Sequence, residues 1–552
     1  MADFLLVIGD SAAAGKNSTD TANAVIIGLG LNNFCKIYGK EGTYNVIRDG
    51  EDAIISLGYV CWAAGDSLRE TLVQVLNSFQ ESQISDLKKG LIGEYILLVK
   101  KGPKICIFSD FAGVRNVFYS NDGKIISSSF SRMEDTLGAG ESDLDPYKLV
   151  EYIAMRSVTY AAWLGSSTCH KRINWLLPYE YLVFDTENGG FGTRPVVYSL
   201  DNTKQPDCAS LSNELISVLQ KIVGRKEFEK SKVAVSLTGG HDSRLIAAIA
   251  CKEFPDLHFR TAASTMNPDT KRDLKIARKV ARVHHTPIDV YWFQYGRDEE
   301  RFRDLTEGFS PLYNRTIAPL LDAAGAYALG FGGIFGTELF TELPYNSIDD
   351  FIEKKIAVAK QILKMDNVFW QGFRESIRGE FGRIKNHFHL TIADDRDYIR
   401  LFGFVVTARY CSFITSAFNR TGYQIDPYGS FSVLDLALRV PPVLWGNHKR
   451  LVGNCLVQKA ALSKVNPRMG KLLTFNHSRP MLPLSARTFP MYLAGYLQQI
   501  GTVFSQRYAK RRQKLQRTDL PGGYYISDGW EAQYLSRLMK RYDMPTQDNC
   551  SS

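Results

Sequence analysis

The sequence predicts two successive units of different fold class, an α+β unit of stacked antiparallel sheets and then an α/β unit with a parallel sheet. Up to residue 203, short apolar runs alternate with turn sequences such as Asn-Asp-Gly at 121–123 and Asn-Gly-Gly at 188–190. From residue 204, short β-branched runs alternate with longer stretches of helical periodicity. Antiparallel sheets produce the first pattern, and right-handed βαβ units produce the second.

The boundary between the units is expected in the polar, proline-containing stretch "SLDNTKQPDCA". It divides the chain into residues 1–203 and 204–552. The clearest strand patterns of the first unit are "LIGEYILLVKKG" (91–102), "KICIFSDFAGVRNVFYSNDGKIISSSFS" (104–131) and "YEYLVFDTENGGFG" (179–192). We expect these runs to form stacked antiparallel sheets.

The second unit is predicted as strict alternation of helix and strand. In order, the pattern predicts a helix over 210–226, a strand over 232–237, a helix over 242–254, a strand over 257–264, a helix over 270–284 and a strand over 285–293. This spacing is typical of a parallel sheet covered by helices on both faces. Ligands of such sheets lie at the carboxyl ends of the strands.

Composition indicates a globular protein with more than one core, since 552 residues with 45% hydrophobic and 23% charged residues exceed one ordinary domain. No apolar run approaches the roughly eighteen residues of a membrane-spanning helix. The opening "MADFLLVIGDSAAAGK" lacks the basic start of a secretory signal. We therefore expect a cytoplasmic protein with no membrane partner.

Cysteine and charge exclude some kinds of site. The nine cysteines include no C-x-x-C pair, and several lie in apolar segments, which favours reduced, buried thiols over disulfides or zinc. The net charge is +9, and much of the clustered basicity lies in "RYAKRRQKLQR" at 507–517. That run is either a solvated helix face or a surface for an anionic or peptide partner. We expect no nucleic acid partner.

The stretch "TGGHDS" (238–243) lies between a predicted strand and a predicted helix, at the ligand-binding edge of the sheet. Adjacent glycines let backbone N–H groups approach an anion, and the helix that follows adds its own unpaired N–H groups. Thr238 and Ser243 add hydroxyl donors, and the carboxylate of Asp242 can hold a Mg²⁺ that bridges phosphates. The loop therefore predicts a phosphate site.

Two alternatives apply to this loop. It is not a Walker A loop, because no lysine follows the glycines, and the nearest imitation, "GDSAAAGKNS" at 9–18, has the wrong spacing. A purely structural interpretation makes the loop a glycine turn in which Asp242 or Ser243 caps the helix.

The loop resembles the S/T-G-G-x-D-S pyrophosphate loop of the N-type ATP pyrophosphatases. Segments before it resemble asparagine synthetase motifs in order: "LIGEYILLV", "FSDFAGVRNVFYS", "IISSSFSRM", "DPYKLVEYI" and "RINWLLPYEYLVF". Ser109 stands where the second motif has arginine. The resemblance to the asparagine synthetase family implies an Ntn-like αββα sandwich followed by an ATP-pyrophosphatase domain with a parallel sheet.

The resemblance carries one departure in the first unit. Glutamine-using members begin Met-Cys, whereas this sequence begins Met1-Ala2-Asp3 and has no R-G-P-D or N-G-E segment. We therefore expect no glutaminase chemistry. In this respect the sequence is similar to β-lactam synthetase and the lasso-peptide macrolactam synthetases, which use an amine carried by the substrate.

A second departure concerns the family's later G-x-G-x-D-E loop. The matching stretch is "LGFGGIFGTELF" (329–340), in which Gly333 matches the first glycine and Glu338 the glutamate. Phe335 stands at the second glycine and Thr337 at the aspartate. The resemblance then implies that Asp242 and Glu338 share the metal, or that Asp273 helps them. A structural alternative makes Glu338 a helix-capping carboxylate.

Further residues follow from the resemblance. Lys449 is the candidate for the cation that stabilises charge during acyl transfer, with Lys459 as its rival and a solvated helix lysine as the structural alternative. Asp426 is expected to be architectural. Arg244, behind the phosphate loop, is placed to meet pyrophosphate or a substrate carboxylate.

The implied reaction uses ATP and Mg²⁺. Adenine is expected near Leu237 and Ala263, and the phosphates are expected among loop residues that donate hydrogen bonds or hold metal. These are Thr238, Gly239, Gly240, Asp242 and Ser243. Gly333 of the later loop is also expected to bind ATP. A substrate carboxylate attacks the α-phosphorus and releases pyrophosphate, and an amine then displaces AMP with Glu338 as base and Lys449 as the stabilising cation.

Three functions remain open. The first is an ATP-dependent ligase joining a small-molecule or peptide carboxylate to an amine, including lactam or macrolactam closure, in concert with proteins of a biosynthetic pathway. The second is amidation of a sugar acid or another small acid with ammonia. The third is a scaffold that binds nucleotide or peptide with weakened catalysis.

Overall fold

The computed structural model describes most of the chain before residue 473 and short pieces beyond it. The described residues are 3–8, 24–29, 33–38, 43–62, 66–138, 143–158, 160–205, 207–265, 268–294, 296–309, 316–341, 343–419, 422–447, 453–472, 485–487, 489–490, 493–494, 518–519 and 525–526.

The first part of the chain is built from short strands and four helices, counted over the described residues. The strands are β1 (Asp3–Val7), β2 (Ala24–Gly28), β3 (Phe34–Tyr38), β4 (Tyr44–Asp49), β5 (Asp52–Gly58), β6 (Cys61–Trp62), β7 (Leu91–Ile92), β8 (Tyr95–Lys101), β9 (Lys104–Ser109), β10 (Phe118–Ser120), β11 (Ile125–Ser127), β12 (Ile173–Trp175), β13 (Glu180–Asp185), β14 (Phe191–Pro195) and β15 (Tyr198–Leu200). The helices are α1 (Leu68–Ser78), α2 (Ile84–Gly90), α3 (Phe130–Leu137) and α4 (Pro146–Val158).

Two antiparallel sheets of six described strands each form a sandwich. One sheet has the order β12-β10-β11-β1-β3-β2, and the other has the order β14-β13-β9-β8-β5-β4. Their facing sides share one apolar core, in which residues such as Leu6 and Ile37 of the first sheet meet Ile96 and Ile107 of the second. Helix α3 packs on the outer side of the first sheet and α1 on the outer side of the second. The predicted αββα sandwich is confirmed.

Strand alternation explains why each sheet buries both faces. In β8 the residues Ile96 and Leu98 point into the core between the sheets, while Leu97 and Val99 point toward the helices. Side chains of a strand alternate between its two faces, so a run of apolar residues without polar interruption is needed when both faces are covered. The unbroken run "YILLV" therefore places β8 inside the sandwich.

The second part of the chain contains the remaining described elements. The strands are β16 (Val233–Ser236), β17 (Leu257–Ala263), β18 (Ile288–Trp292), β19 (Leu329–Phe331), β20 (Leu363–Lys364), β21 (Phe388–Leu390), β22 (Tyr423–Ile425), β23 (Gly446–Asn447), β24 (Gly453–Asn454), β25 (Thr518–Asp519) and β26 (Tyr525–Ile526). The helices are α5 (Cys208–Val223), α6 (Asp242–Glu253), α7 (Pro268–His284), α8 (Arg297–Leu305), α9 (Ala318–Asp322), α10 (Gly336–Phe340), α11 (Ile348–Ile362), α12 (Asn367–His387), α13 (Asp395–Phe418), α14 (Phe431–Arg439), α15 (Pro442–Trp445), α16 (Leu456–Val465) and α17 (Pro467–Gly470).

A parallel sheet of five described strands organises this part, in the order β18-β17-β16-β19-β22. Every neighbouring pair in it is parallel, so the predicted parallel sheet is confirmed. From β16 the chain builds outward through β17 and β18, and then returns to add β19 on the other side of β16. The strand order therefore reverses between β16 and β19, and ligands of such sheets bind at this reversal, beyond the carboxyl ends of the strands.

Helix α13 is the longest helix among the described residues and lies in the core. Among the described helices, it alone is long and apolar enough to cross a membrane. Its most apolar 18-residue stretch has a mean hydropathy of 1.4, and 89% of that stretch is buried inside the protein. Its burial comes from packing against α11, α12 and α10. It is therefore a core helix of this fold.

The two parts of the chain are joined by a strand pair and by a buried charge cluster. Strand β15 pairs in parallel with β21, so that Tyr198 lies opposite Phe388. Glu380 of α12 accepts hydrogen bonds from the Gly165 N–H (2.9 Å) and the Tyr179 hydroxyl (2.9 Å), both in the first part. The boundary at residues 203 and 204 stays a prediction, because these contacts cross it.

Candidate active site at the switch point of the parallel sheet

The loop that follows β16, residues 237–241, is called here the β16 loop. Leu237 continues the strand, since its N–H donates to the carbonyl oxygen of Arg260 in β17 at 2.8 Å, and its side chain is buried. Gly239 and Gly240 then carry the chain across the sheet edge to Asp242, the first residue of α6. The loop therefore opens at the point where strand order reverses.

Three successive N–H groups of the β16 loop donate to side-chain oxygens. The Thr238 N–H donates to the Ser243 hydroxyl (3.2 Å), and the Gly240 N–H donates to the Thr238 hydroxyl (3.2 Å). The Gly239 N–H donates to the carboxylate of Asp273 in α7 at 2.8 Å. Each of these donors is paired with a separate side-chain oxygen, and phosphate oxygens are acceptors of the same kind.

The N-terminus of α6 adds to this electropositive setting. His241 precedes the helix, and its side chain forms no capping hydrogen bond with the first turn. The helix is twelve residues long, so the aligned peptide dipoles place partial positive charge beside the β16 loop. An anion bound at the loop would be stabilised by that partial charge.

Asp242 lies at the centre of the site, where it receives two hydrogen bonds from other elements. The Thr337 hydroxyl donates to Oδ2 at 3.0 Å, and the Gln458 amide donates to Oδ1 at 2.9 Å. Thr337 is on α10 and Gln458 is on α16. Thr337, which stands where the family motif has aspartate, therefore orients the carboxylate of Asp242 through its hydroxyl.

The loop after β19, residues 332–335, is called the β19 loop, and it packs directly on the N-terminus of α6. A Cβ atom on Gly333 would lie 2.8 Å from the backbone nitrogen of Ser243, and one on Gly336 would lie 2.3 Å from Oδ1 of Asp242. Both distances are shorter than real contacts allow, so a side chain at Gly333 would displace the backbone of α6, and one at Gly336 would displace the side chain of Asp242. The glycines of this stretch are thus required by the close approach of two loops.

Phe335 adopts a left-handed backbone conformation with φ of 75°. That region is unfavourable for a bulky residue and ordinary for glycine, the residue that the family motif has at this position. The ring of Phe335 is buried, and its centroid lies 4.8 Å from that of Phe404 in α13. Packing of the ring in the core offsets the backbone strain and fixes the start of α10.

Glu338 lies on α10, one turn from the β19 loop, and faces a residue from the first part of the chain. The Tyr160 hydroxyl donates to Oε1 of Glu338 at 2.8 Å. Tyr160 is held in place by stacking on Tyr410 of α13, with ring centroids 4.6 Å apart and an interplanar angle of 19°. Burial raises the pKa of Glu338 above its ordinary value, and the Tyr160 hydrogen bond opposes that rise.

Asp242 and Glu338 are close enough for their charges to interact. Burial, followed by the negative charge of Glu338, raises the pKa of Asp242 from 3.8 to about 7. The hydrogen bonds from Gln458 and Thr337 act in the opposite direction. Two neighbouring carboxylates with raised pKa values indicate a site that lacks compensating positive charge.

The raised pKa of Asp242 makes a prediction about stability. A raised pKa means that the carboxyl group favours the folded state when protonated, so this contribution is fully present below 3.8 and is lost as the pH rises through about 7. Asp242→Asn removes the charge and keeps an oxygen acceptor. We expect the variant to gain about 1 kcal/mol over the natural protein at pH 8.5, after allowance for partial exposure of the group, and to gain nothing at pH 4.

Thermal unfolding at the two pH values measures this difference. The matched control is Asp256→Asn, a surface change at a side chain that is 64% exposed. An equal gain for Asp242→Asn at both pH values would contradict the raised pKa.

The donor set at this position suits Mg²⁺. Asp242 and Glu338 supply carboxylate oxygens, and hard divalent cations prefer oxygen ligands and retain several waters. Among the described residues no group of three or more His, Cys, Asp and Glu side chains forms a metal site, so protein ligands alone would not complete a coordination shell. The pair fits a cation whose other ligands are water and phosphate.

A second buried carboxyl pair supports the β19 loop from below. Oδ1 of Asp426 accepts the Ile334 N–H at 3.1 Å, and the carboxyl of Asp426 is hydrogen-bonded to Glu94 of the first part. Glu94 in turn accepts from the Asn419 amide at 2.6 Å. Burial, then the charge of Asp426, raises the pKa of Glu94 well above its ordinary value, so the pair shares a proton. Asp426 thus lies in a supporting position beneath the loop.

The remaining predicted residues are placed as follows. Ala263 ends β17 and is buried beside the sheet edge. Arg244 is fully buried, and its guanidinium donates to the carbonyl oxygens of Leu472 (2.7 Å) and Gly239 (3.3 Å), so it supports the β16 loop from inside. Lys459 is buried on α16, next to Gln458. Lys449 and the basic run 507–517 lie outside the described residues.

Sequence reasoning missed Tyr160 and Gln458 in the site. Each is far along the chain from the residue that it contacts, by 178 positions for Tyr160 and Glu338 and by 216 for Gln458 and Asp242. Neither belongs to a motif with a fixed spacing. Tyr160, in the segment after α4, and Gln458, on α16, reach the site only through tertiary packing.

Comparison with known proteins is limited to part of the chain. Residues 214–319 match the family model of asparagine synthase. No curated protein matches the chain. The matched segment runs from within α5 to α9 and includes β16, β17 and β18.

Solved structures give weak similarities. A glutamine phosphoribosylpyrophosphate amidotransferase from B. subtilis, complexed with ADP and GMP, is 12% identical over 52% of this chain and 65% of its own, under two thirds of its length, with a TM-score of 0.22. An NMN synthetase from Francisella tularensis is 16% identical over 36% of this chain and 94% of its own, with a TM-score of 0.20. The U34-tRNA thiolase NcsA from Methanococcus maripaludis is 13% identical over 53% of this chain and 80% of its own, with a TM-score of 0.21.

The family match covers part of the candidate site. The matched residues include the β16 loop, Asp242 and all of α7, whereas the β19 loop and Glu338 lie beyond its end. The segment from residue 214 to residue 319 is therefore asparagine synthase-like.

Proposed function

We propose that this protein is an ATP-dependent ligase that joins a carboxylate to an amine through an acyl-adenylate, releasing AMP and pyrophosphate. The observation that carries the proposal is the convergence of the β16 loop, the N-terminus of α6 and the Asp242–Glu338 pair at the switch point of the parallel sheet. An asparagine synthase-like segment supplies the β16 loop, the N-terminus of α6 and Asp242, while Glu338 lies beyond that segment. Amide formation driven by ATP is the chemistry of that family.

The β16 loop binds the phosphates of ATP in this proposal. The N–H groups of Thr238, Gly239 and Gly240 exchange their present side-chain acceptors for phosphate oxygens, and the Ser243 hydroxyl adds a further donor. Adenine lies near Leu237 and Ala263, at the ends of the two neighbouring strands. Positioning and charge neutralisation dominate this kind of transfer, so fixed donors are the main contribution of the chain.

Asp242 and Glu338 would hold a Mg²⁺, which neutralises phosphate charge when bound. Thr337 and Gln458 keep the carboxylate of Asp242 in one orientation through their hydrogen bonds. Burial raises the pKa of Glu338 above its ordinary value, which makes its carboxylate a stronger base toward the proton of an attacking amine. Tyr160 fixes the direction of that carboxylate. Lys449 stays our candidate for the cation at the acyl group.

The test is to identify the products formed from ATP and Mg²⁺ in the presence of a panel of carboxylates with hydroxylamine as amine. The proposal predicts AMP, pyrophosphate and a hydroxamate in equal amounts. ADP with phosphate would contradict it. ATP binding with no turnover under any condition would favour the binding scaffold. In parallel assays with ammonia in place of hydroxylamine, turnover confined to small acids would favour the second alternative.

Gly240→Val gives a specific contrast for this test. A β-branched side chain on the loop would prevent phosphate from approaching the backbone N–H groups. We therefore expect the rate of AMP formation to fall at least about 100-fold. Gly192→Val is the matched control, because the space around Gly192 in β14 is open and it lies far from the site. Equal activity in the two variants would exclude the β16 loop as the phosphate site.

A further inference from the structure

Helix α7 presents a strongly basic face to solvent. Six of its residues are exposed lysines and arginines: Lys271, Arg272, Lys275, Arg278, Lys279 and Arg282. Four of these, at positions 271, 275, 278 and 282, follow helical spacing and form one line along the helix. The line extends over about 16 Å, since eleven residues rise about 1.5 Å each.

Little negative charge opposes this face. From residue 271 to the end of α7, the sequence contains one acidic residue, Asp273, and its carboxylate is engaged with the Gly239 N–H of the β16 loop. Among the described residues, Lys275, Arg278 and Arg282 form no ion pair. The same holds for Lys271 and Lys279. These cations are therefore available to an external anion.

A neighbouring helix extends the basic surface. Helix α17 packs on α7, where the Asn466 side chain lies 2.8 Å from Nε2 of His284. Arg468 of α17 and Lys471, the residue that follows α17, are also exposed. We call these two residues and the six basic residues of α7 together the α7 face.

The far end of the α7 face contains an open depression of mixed character. Its cationic lining comes from Arg278, Arg282 and His285, and its apolar lining includes Pro287 and Ile288. A carboxylate with a short aliphatic stem fits such a lining, because the charge meets the cations while the methylenes contact Pro287 and Ile288.

We propose that the α7 face binds an acidic peptide segment of the substrate. The near end of the line lies at the N-terminal part of α7, where Asp273, on the opposite side of the helix, contacts Gly239 of the β16 loop. An extended peptide of about five residues spans the line, at about 3.3 Å per residue. A peptide bound there ends about one helix diameter, roughly 10–12 Å, from the proposed site of ATP. This inference rests on the proposed function and names its substrate class as a peptide with clustered Asp and Glu.

The chemistry of the surface favours a peptide over a nucleic acid. Single-stranded nucleic acids are bound by cationic grooves in which aromatic side chains stack on the bases. Helix α7 has no Phe, Tyr or Trp along its length. The aliphatic lining between its cations suits Asp and Glu side chains.

The experiment measures binding of a fluorescein-labelled Glu-rich decapeptide by anisotropy, without ATP, at low and at raised NaCl. The peptide with Gln in place of Glu is the reference ligand. The test variant carries Lys275→Glu, Arg278→Glu and Arg282→Glu. A second variant carries Gln at the same positions, in case charge reversal perturbs folding. The control variant carries Arg69→Glu, Lys124→Glu and Arg194→Glu, which are exposed in the first part of the chain.

We expect saturable, salt-sensitive binding of the Glu peptide to the natural protein, and weakening of about tenfold or more in both α7 variants only. Equal binding in the α7 and control variants would overturn the proposal. Tighter binding of an oligo-dT, or of vesicles with phosphatidylserine, than of the peptide would overturn it as well. The binding assay contains no ATP, so its result does not depend on catalysis. A protein that binds the peptide at the α7 face but forms no AMP would support this inference and contradict the proposed function.

Discussion

Replacing Asp242 with alanine is expected to lower AMP formation at least about 100-fold, with little change in folding at pH 7. The change removes the carboxylate that lies between the β16 loop and the β19 loop, together with the acceptor for Thr337 and Gln458. It therefore takes away both the candidate metal ligand and the group that orients its neighbours. Rates of AMP and pyrophosphate release under saturating ATP and Mg²⁺ measure the effect.

Two companion variants define what the loss means. Asp242→Asn keeps the size of the side chain and one oxygen acceptor but loses the charge, so a similar loss of activity would assign the effect to the carboxylate rather than to shape. Asp256→Ala, at an exposed surface position, should leave activity unchanged. If Asp242→Ala retained activity within about threefold of the natural protein, the assignment of the site to this carboxylate would be wrong.

Replacing Glu380 with glutamine is expected to destabilise the fold by about 3–5 kcal/mol. Glu380 is fully buried, and it pairs with Arg409 of α13 at 2.8 Å and with Arg383 of its own helix at 2.7 Å. The guanidinium of Arg409 is also buried, so loss of the carboxylate leaves a charge in the core without the ion-pair partner that it has in the natural protein. Urea unfolding at pH 7 measures the change.

The pH dependence of this cluster has a definite sign. Burial alone would raise the pKa of Glu380, but the attractions of Arg409 and Arg383 outweigh burial and hold the pKa at about 2. A lowered pKa means that the carboxylate contributes stability above its ordinary value of 4.5, and that this contribution is lost as the pH falls toward about 2. The variant should lack that part of the acid dependence.

Glu375→Gln is the matched control on the same helix. Its side chain is 61% exposed and pairs with Arg378, so we expect a change within about 0.5 kcal/mol. Equal destabilisation by the two variants would mean that the buried cluster makes no special contribution.

Much of the parallel sheet was predictable because its local signals agree. The helix predicted over 242–254 is observed as Asp242–Glu253, and the strand predicted over 257–264 as Leu257–Ala263. β-branched runs and apolar helical spacing act over a few residues, and here no tertiary contact overrides them. The sandwich followed from alternation and turn residues for the same reason.

The parts of the site that sequence could not predict depend on tertiary packing. Phe335 could be recognised as a replacement for glycine, but its left-handed conformation is set by the contact with Phe404. Glu380 looks like an ordinary helix-surface glutamate until Gly165 and Tyr179 come to it from the first part. No local pattern encodes a contact that forms only when distant segments meet.

The hydrogen bond between Tyr160 and Glu338 has a consequence for how this chain can be divided or recombined. A fragment that begins at residue 204 would contain the whole parallel sheet and yet lack Tyr160, the hydrogen-bond donor to Glu338. Grafting the sheet onto another N-terminal partner would require that partner to present an equivalent hydroxyl at the same place. Exchange of the N-terminal part between related proteins should therefore preserve the site only where the incoming part supplies that hydroxyl.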